Sequence, residues 1–212
     1  MNCAPRDPHT SYNSTGWETF RNVWQDRELR SSLTTIFLVF GAYSGLLNVI
    51  PFYLVSLSPD ISELSIAATY AGYLAGVLIA LGTDRILGTL GGARPTLNLS
   101  LTVYGLSFLL LWFSGTHTIA LVMLVTSGSF FLMHALLSGL VNQRSTAQSS
   151  VLNGLYVSFY YAGGSLGAWA MPQLFRLGGW TLVIATLAMC CVAAFVFSAG
   201  LRHANETPHP HG

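Results

Sequence analysis

The chain has 212 residues, 52% of them hydrophobic and only 8% charged. Soluble globular domains carry about 25% charged residues. Nine basic and eight acidic side chains are too few to coat a soluble particle of this size, which excludes a soluble enzyme, a disordered polar chain and a nucleic-acid binder. The net charge of +1 singles out no partner, and every basic residue is arginine. Cys3, Cys190 and Cys191 form neither a disulfide framework nor a metal-ligand spacing, so no metal and no cofactor are expected.

Residues 1–31 are polar and contain acids, unlike the short basic stretch and apolar core of a signal peptide. Within them Trp17, Phe20 and Trp24 recur at helical spacing, with Arg21, Asp26, Arg27 and Glu28 around them. The pattern predicts a short amphipathic helix in the membrane interface; the alternative is a leader with aromatics placed by chance.

From Leu33 to Leu201 the charges are Asp60, Glu63, Asp84, Arg85, Arg94, Arg144 and Arg176. Between them lie apolar runs at 33–55, 64–83, 96–113, 118–141, 151–171 and 180–201. Each is long enough for a bilayer core of about 30 Å. Backbone groups in lipid must be satisfied within the segment, so each run reads as a helix. The expected fold class is all-α: a polytopic membrane domain of six transmembrane helices over residues 32–201. Residues 202–212, with His203, His209 and His211, read as a disordered tail.

Six spans put both termini on one side. With the N-terminal segment inside, eight of the nine arginines fall on that side and only Arg176 falls outside. The bias predicts cytoplasmic termini.

Small residues mark the packing faces. Ala68, Gly72, Gly76 and Ala80 stand at four-residue spacing on the second span, Gly41 and Gly45 on the first, and Gly154, Ser158, Ala162, Gly163 and Gly167 on the fifth. Such stripes let helix backbones approach closely. The third and sixth spans are nearly pure hydrocarbon and suit a lipid-facing outer layer. Polar groups concentrate in spans one, two, four and five: Asn48, Thr69, Tyr70, Tyr73, Ser127, Ser129, His134, Asn153, Tyr156, Tyr160 and Tyr161. Inside a bilayer such groups face the bundle or a wet path. The order core, core, outer then occurs twice.

Two stretches carry a family resemblance. Gly82-Thr83-Asp84-Arg85-Ile86-Leu87-Gly88, with Arg94 further on, resembles the loop signature of the major facilitator superfamily. The second stretch runs from Phe131 through His134, Gln143-Arg144, Asn153, Tyr156, Tyr160, Gly163 and Gly167 to Gly179-Trp180. It resembles helices ten and eleven of bacterial permeases of the arabinose-efflux and drug-efflux type. Ala80 stands where the loop motif has glycine and Gly88 comes one residue late, a degenerate form expected in the C-terminal half. The resemblance implies half of a major facilitator fold, an inverted repeat of three and three helices. The polar N-terminus then looks like the end of a central cytoplasmic loop.

The implied function is alternating-access transport of a small molecule: proton-coupled secondary efflux in a bacterial inner membrane. The chain would be one half of a twelve-helix carrier. Its implied partners are the lipid bilayer, a small-molecule substrate and a second half, either another copy or separately encoded. The alternative is a non-transporting membrane protein, a truncated remnant or a scaffold for another permease. No nucleophile or acid–base constellation supports an enzyme. Gly163-Gly164-Ser165-Leu166-Gly167 fits a nucleophile elbow in letters only, because it lies inside an apolar helix.

For Asp84, Arg85 and Arg94 the resemblance implies a gating brace; ordinary interfacial charge is the other reading. His134 is the sole imidazole within a span. It reads as a proton or substrate group, or as a neutral ring in one interhelical hydrogen bond. Asn153, Tyr156 and Tyr160 give span five an aromatic, weakly polar face, suited to a bulky amphipathic or cationic ligand or to helix packing. Asn48, ahead of Pro51, either hydrates a broken first span or packs.

Overall fold

The computed structural model describes residues 16–116, 118–143 and 149–201, and among these it is helical without strands. The expectations for residues 1–15, for Arg144 and for the tail at 202–212 lie outside the described residues. Helix α1 spans Gly16–Gln25 and α2 spans Arg27–Leu57. Between them the Asp26 carboxylate accepts from the backbone N–H groups of Glu28 and Leu29 at 2.8 and 3.1 Å, satisfying the free donors at the start of α2. The aromatic periodicity of residues 17–24 thus falls on a helix. It is docked on the bundle: Val23 is buried, and Trp24 lies 6.2 Å from the ring of Phe159.

The remaining elements are α3 (Glu63–Ala68), a 3₁₀ turn (Thr69–Ala71), α4 (Gly72–Leu81), α5 (Thr83–Leu90), α6 (Ala93–Trp112), α7 (Ile119–Gln143) and α8 (Ser149–Ser198). Five stretches are long and apolar enough to cross a membrane: Arg27–Leu57, Glu63–Leu81, Ala93–Trp112, Ile119–Gln143 and Ser150–Ser198. The residues read as a loop after the second span include a further helix, α5. Gly91 closes it at φ 79°, a left-handed conformation that glycine adopts without a Cβ penalty.

Helix α8, at 50 residues, would be about 75 Å long if straight, more than twice a bilayer core. It is broken at Gly178 and Gly179, the latter at φ 62° and ψ −161°, a region essentially reserved for glycine. Before the break α8 runs parallel to α2: Gly163 sits on Phe37, and Gly167 on Gly41. After it, Trp180 stacks on Tyr53 at 3.8 Å and Gly200 reaches Ser31. The second arm therefore returns along α2. A clasp holds the turn: the Trp180 indole donates to the Leu111 carbonyl at 3.2 Å, and the Tyr53 hydroxyl to Ser114 at 3.4 Å.

The stretch Glu63–Leu81 packs differently from its sequence stripe. Gly72 and Gly76 face α7; a Cβ on Gly72 would stand 2.9 Å from the Met123 carbonyl oxygen, and one on Gly76 would meet Phe131. Ala80 is half-buried, but Ala68 is exposed and Thr69 is buried in its place. The 3₁₀ turn explains the change. It advances about 120° per residue instead of 100°, so three residues shift the register by about 60°. On α8, Gly154, Ser158 and Ala162 are likewise exposed, and only the Gly163, Gly164 and Gly167 part of that stripe packs.

The expected outer layer also differs. On α6, Leu97, Leu101, Tyr104, Phe108 and Leu111 are buried at heptad spacing, while Leu99, Leu106 and Leu110 are exposed. The Tyr104 hydroxyl donates to Val39 of α2 at 2.9 Å, and Thr126 of α7 donates to Ser107 at 2.8 Å. The second arm of α8 buries Val183, Ile184, Leu187 and Ala194 and exposes Val192 and Val196. Both hydrocarbon spans are thus two-faced. The least covered is Glu63–Leu81, 17% buried over its apolar window against 44% for α6.

Candidate functional site

An aromatic cluster with one imidazole forms where α2, α4, α7 and the first arm of α8 meet. Helix α2 supplies Phe40 and Tyr43, one helical turn apart. Phe40 stacks on Tyr160 of α8 at 3.7 Å, and Tyr43 on Phe130 of α7 at 4.2 Å. Phe130 and Phe131 meet edge to face at 5.3 Å, and Phe131 meets Tyr73 of α4 at 5.4 Å. Close ring pairs of this kind add stabilisation beyond their buried area. The Tyr43 hydroxyl, buried with its ring, shares a hydrogen bond of 2.8 Å with Ser127.

His134 lies beyond Phe130, its ring 4.9 Å from that of Tyr160. Tyr156, 2% exposed, touches it twice. Its hydroxyl stands 3.0 Å from Nδ1 of His134 and donates to the His134 carbonyl at 3.1 Å. Tyr160 and His134 are half-buried. Tyr161 meets Tyr160 edge-on at 5.0 Å and is 62% exposed, and Tyr73 is 37% exposed. The cluster is therefore packed on its α2 side and open along Tyr73, Tyr160 and Tyr161.

Of the residues singled out for the path, the fold unites His134, Tyr156 and Tyr160. It leaves the two asparagines apart. Asn48 is exposed and its side chain donates to Ser44 of its own helix at 2.8 Å; Asn153 is exposed. The neighbour of Asn48 has a different structural part. Pro51 lacks an N–H, so the Leu47 carbonyl four residues earlier loses its helical donor. The Tyr70 hydroxyl donates to that carbonyl at 3.0 Å. The proline of α2 and the 3₁₀ turn of the next span are thus joined by one hydrogen bond.

Asp84 is exposed in the first turn of α5, where a carboxylate suits the helix N-terminus. It borders a cleft of about 460 Å³ with Thr83, Leu87, Gly139 and Gln143. Arg85 is exposed and Arg94 half-buried; neither lines the cleft, and among the described residues no ion pair joins either of them to Asp84.

Phe40, Tyr43, Phe130 and Phe131 were not anticipated as part of the site. In an apolar span an aromatic residue carries no contrast with its neighbours. The usable signal was Phe40 and Tyr43 at i, i+3 on the first span, matched by Phe130 and His134 at i, i+4 on the fourth.

The arrangement is that of a helical membrane protein with a partly exposed aromatic, weakly polar cluster where its helices meet. The chain matches no model of a known protein family, and no curated protein matches it.

Proposed function

We propose that this chain is a six-crossing half of an alternating-access carrier for a small amphipathic molecule, completed by a second half. The observation that carries the reading is the half-open cluster of Tyr73, His134, Tyr160 and Tyr161 among spans without a formal charge. A half-exposed polar, aromatic face of that kind is costly against lipid and suits a translocation path. The reversal at Gly178 and Gly179 supports two crossings by α8, hence six in all. The arginine split supports cytoplasmic termini in a bacterial inner membrane. The resemblance of the Asp84-Arg85 loop and of the His134 to Trp180 stretch supports the superfamily, its inverted three-helix repeat and export in exchange for protons. His134 is the candidate proton group, and Asp84 with its cleft the candidate gate.

Reconstitution tests this reading, first with the second half supplied by another copy. Liposomes holding the chain should move ethidium under a pH gradient, and Tyr160→Ala should remove most of that flux. No flux, or flux indifferent to Tyr160→Ala, favours the non-transporting alternative. Reporter fusions at Arg202 and Thr116 should give opposite signals; equal signals overturn the six-crossing topology.

A further inference from the structure

We infer that His134 is held with its proton on Nδ1 and offers a bare Nε2 lone pair to a ligand, and that this ligand is an amphipathic amine. Its N–H donates to Nε2 while its aromatic body lies on the neighbouring tyrosines. The claim that such a ligand is cargo rests on the carrier reading above; the claim that it binds does not.

The Tyr156 hydroxyl has one proton and two contacts with His134. The contact to the backbone carbonyl, 3.1 Å, can be donated only by the hydroxyl, because a carbonyl has no proton to give. With both contacts taken as hydrogen bonds, the one to Nδ1, 3.0 Å, runs the other way, from Nδ1–H to the hydroxyl oxygen. A neutral imidazole with its proton on Nδ1 carries its lone pair on Nε2. Tyr156 is buried, so this arrangement is anchored rather than a surface rotamer.

Nε2 points away from Nδ1 and so away from Tyr156. It has no hydrogen bond to any described residue. Among the described residues the buried side-chain polar atom without a partner is the Thr35 hydroxyl, not Nε2. Nε2 is therefore open to the surroundings. The imidazole ring lies 4.9 Å from the ring of Tyr160, which in turn meets the exposed ring of Tyr161.

The chemistry of the ligand follows. A lone acceptor demands a donor, and aromatic faces attract a cation. No arginine lies within the apolar runs that carry the cluster, so an anionic ligand meets no counter-charge. No acid lies there either, so a positive charge rests on the rings alone. An ammonium bearing N–H satisfies both features. A quaternary ammonium satisfies the rings and leaves Nε2 unpaired, at the cost of a hydrogen bond to a charged group.

The test uses a matched pair of probes, 1-naphthylmethylammonium and its trimethylammonium counterpart, titrated calorimetrically into the purified full chain in detergent. The primary amine should bind about tenfold more tightly. In His134→Phe both should bind at the level of the quaternary probe. Tyr156→Phe, which frees the proton to move to Nε2, should narrow the gap while leaving ring contacts in place. Equal binding by the wild-type chain, no binding of either probe, or a preference that survives His134→Phe overturns the inference. The wild-type comparison and Tyr156→Phe decide it even where His134→Phe fails to fold. The selective binding with no flux in liposomes supports this inference and overturns the carrier reading. Flux without selectivity does the reverse.

Discussion

The seam between α2 and α8 and the stretch Glu63–Leu81 are built from the same kind of sequence, glycines spaced along an apolar run, yet they behave differently. In the seam, Gly41, Gly163 and Gly167 bring backbone against backbone, and both arms of α8 close over α2. The α2 window is 61% buried. In Glu63–Leu81 two glycines touch α7 and the rest of the helix is bare: Leu64, Leu74, Leu78 and Leu81 are each at least 71% exposed. A small residue thus marks close approach only where a neighbour covers it. The seam is a closely packed frame. The barer stretch, interrupted by a 3₁₀ turn and tied to α2 by Tyr70, is held by fewer contacts and carries Tyr73, one of the exposed rings of the aromatic cluster.

The strongest way to break the comparison is Gly167→Leu. Its Cβ would run into the Gly41 carbonyl, so the two backbones must separate, at a cost of about 3 kcal/mol. Unfolding in a graded detergent titration should show it. Gly154→Leu, with nothing within 4 Å, should leave the same curve unchanged. Equal behaviour of the two variants removes the seam as a distinct structure.

Gly72→Leu should cost about 2 kcal/mol in the same titration, because the Met123 backbone is close but the helix is free to move outward. A loss as large as that of Gly167→Leu means that this helix is as tightly held as the seam.

Gly179→Ala tests the reversal that makes the frame. The left-handed backbone there should cost about 1.5 kcal/mol. The expected signature is a lower transition temperature with helix content unchanged. A rise in stability would show that the chain does not turn at this residue.

Tyr70→Phe removes the donor to the Leu47 carbonyl. Interhelical hydrogen bonds in membranes average about 0.6 kcal/mol, so the stability loss should be small. Hydrogen exchange should nevertheless rise selectively around Pro51 and the 3₁₀ turn. Unchanged exchange there breaks the proposed link between the two helices.

Asp84→Asn should have the smallest effect, below about 0.5 kcal/mol, because Asp84 is exposed and unpaired among the described residues. Labelling of a single cysteine placed at Asn153 is the sensitive readout. A changed rate with unchanged stability sharpens the gating role, and no change leaves Asp84 as interfacial charge.

The helical stretches were legible in the sequence because a run of uncharged residues of bilayer length admits little else. The run at 64–83 lies on Glu63–Leu81, and the run at 118–141 on α7. His134, Tyr156 and Tyr160 were legible as polar groups in apolar surroundings. Their ring neighbours were not, since Phe40 and Phe130 look like any other core residue until the helices are placed side by side.

The sequence by itself determined the class of protein, the positions of its apolar helices and the glycines and small residues that permit a close approach or a turn. These follow from local properties: the length of an apolar run, the missing Cβ of glycine, the missing N–H of proline. Only the tertiary structure decided which face of each helix is covered. In a hydrocarbon span leucine suits lipid and protein alike, so no pattern of polarity records the choice. For the same reason Ala68 faces outward while Thr69 is buried and α6 is two-faced; the packing of α7 on α8 likewise sets His134 against a tyrosine 22 residues away in sequence.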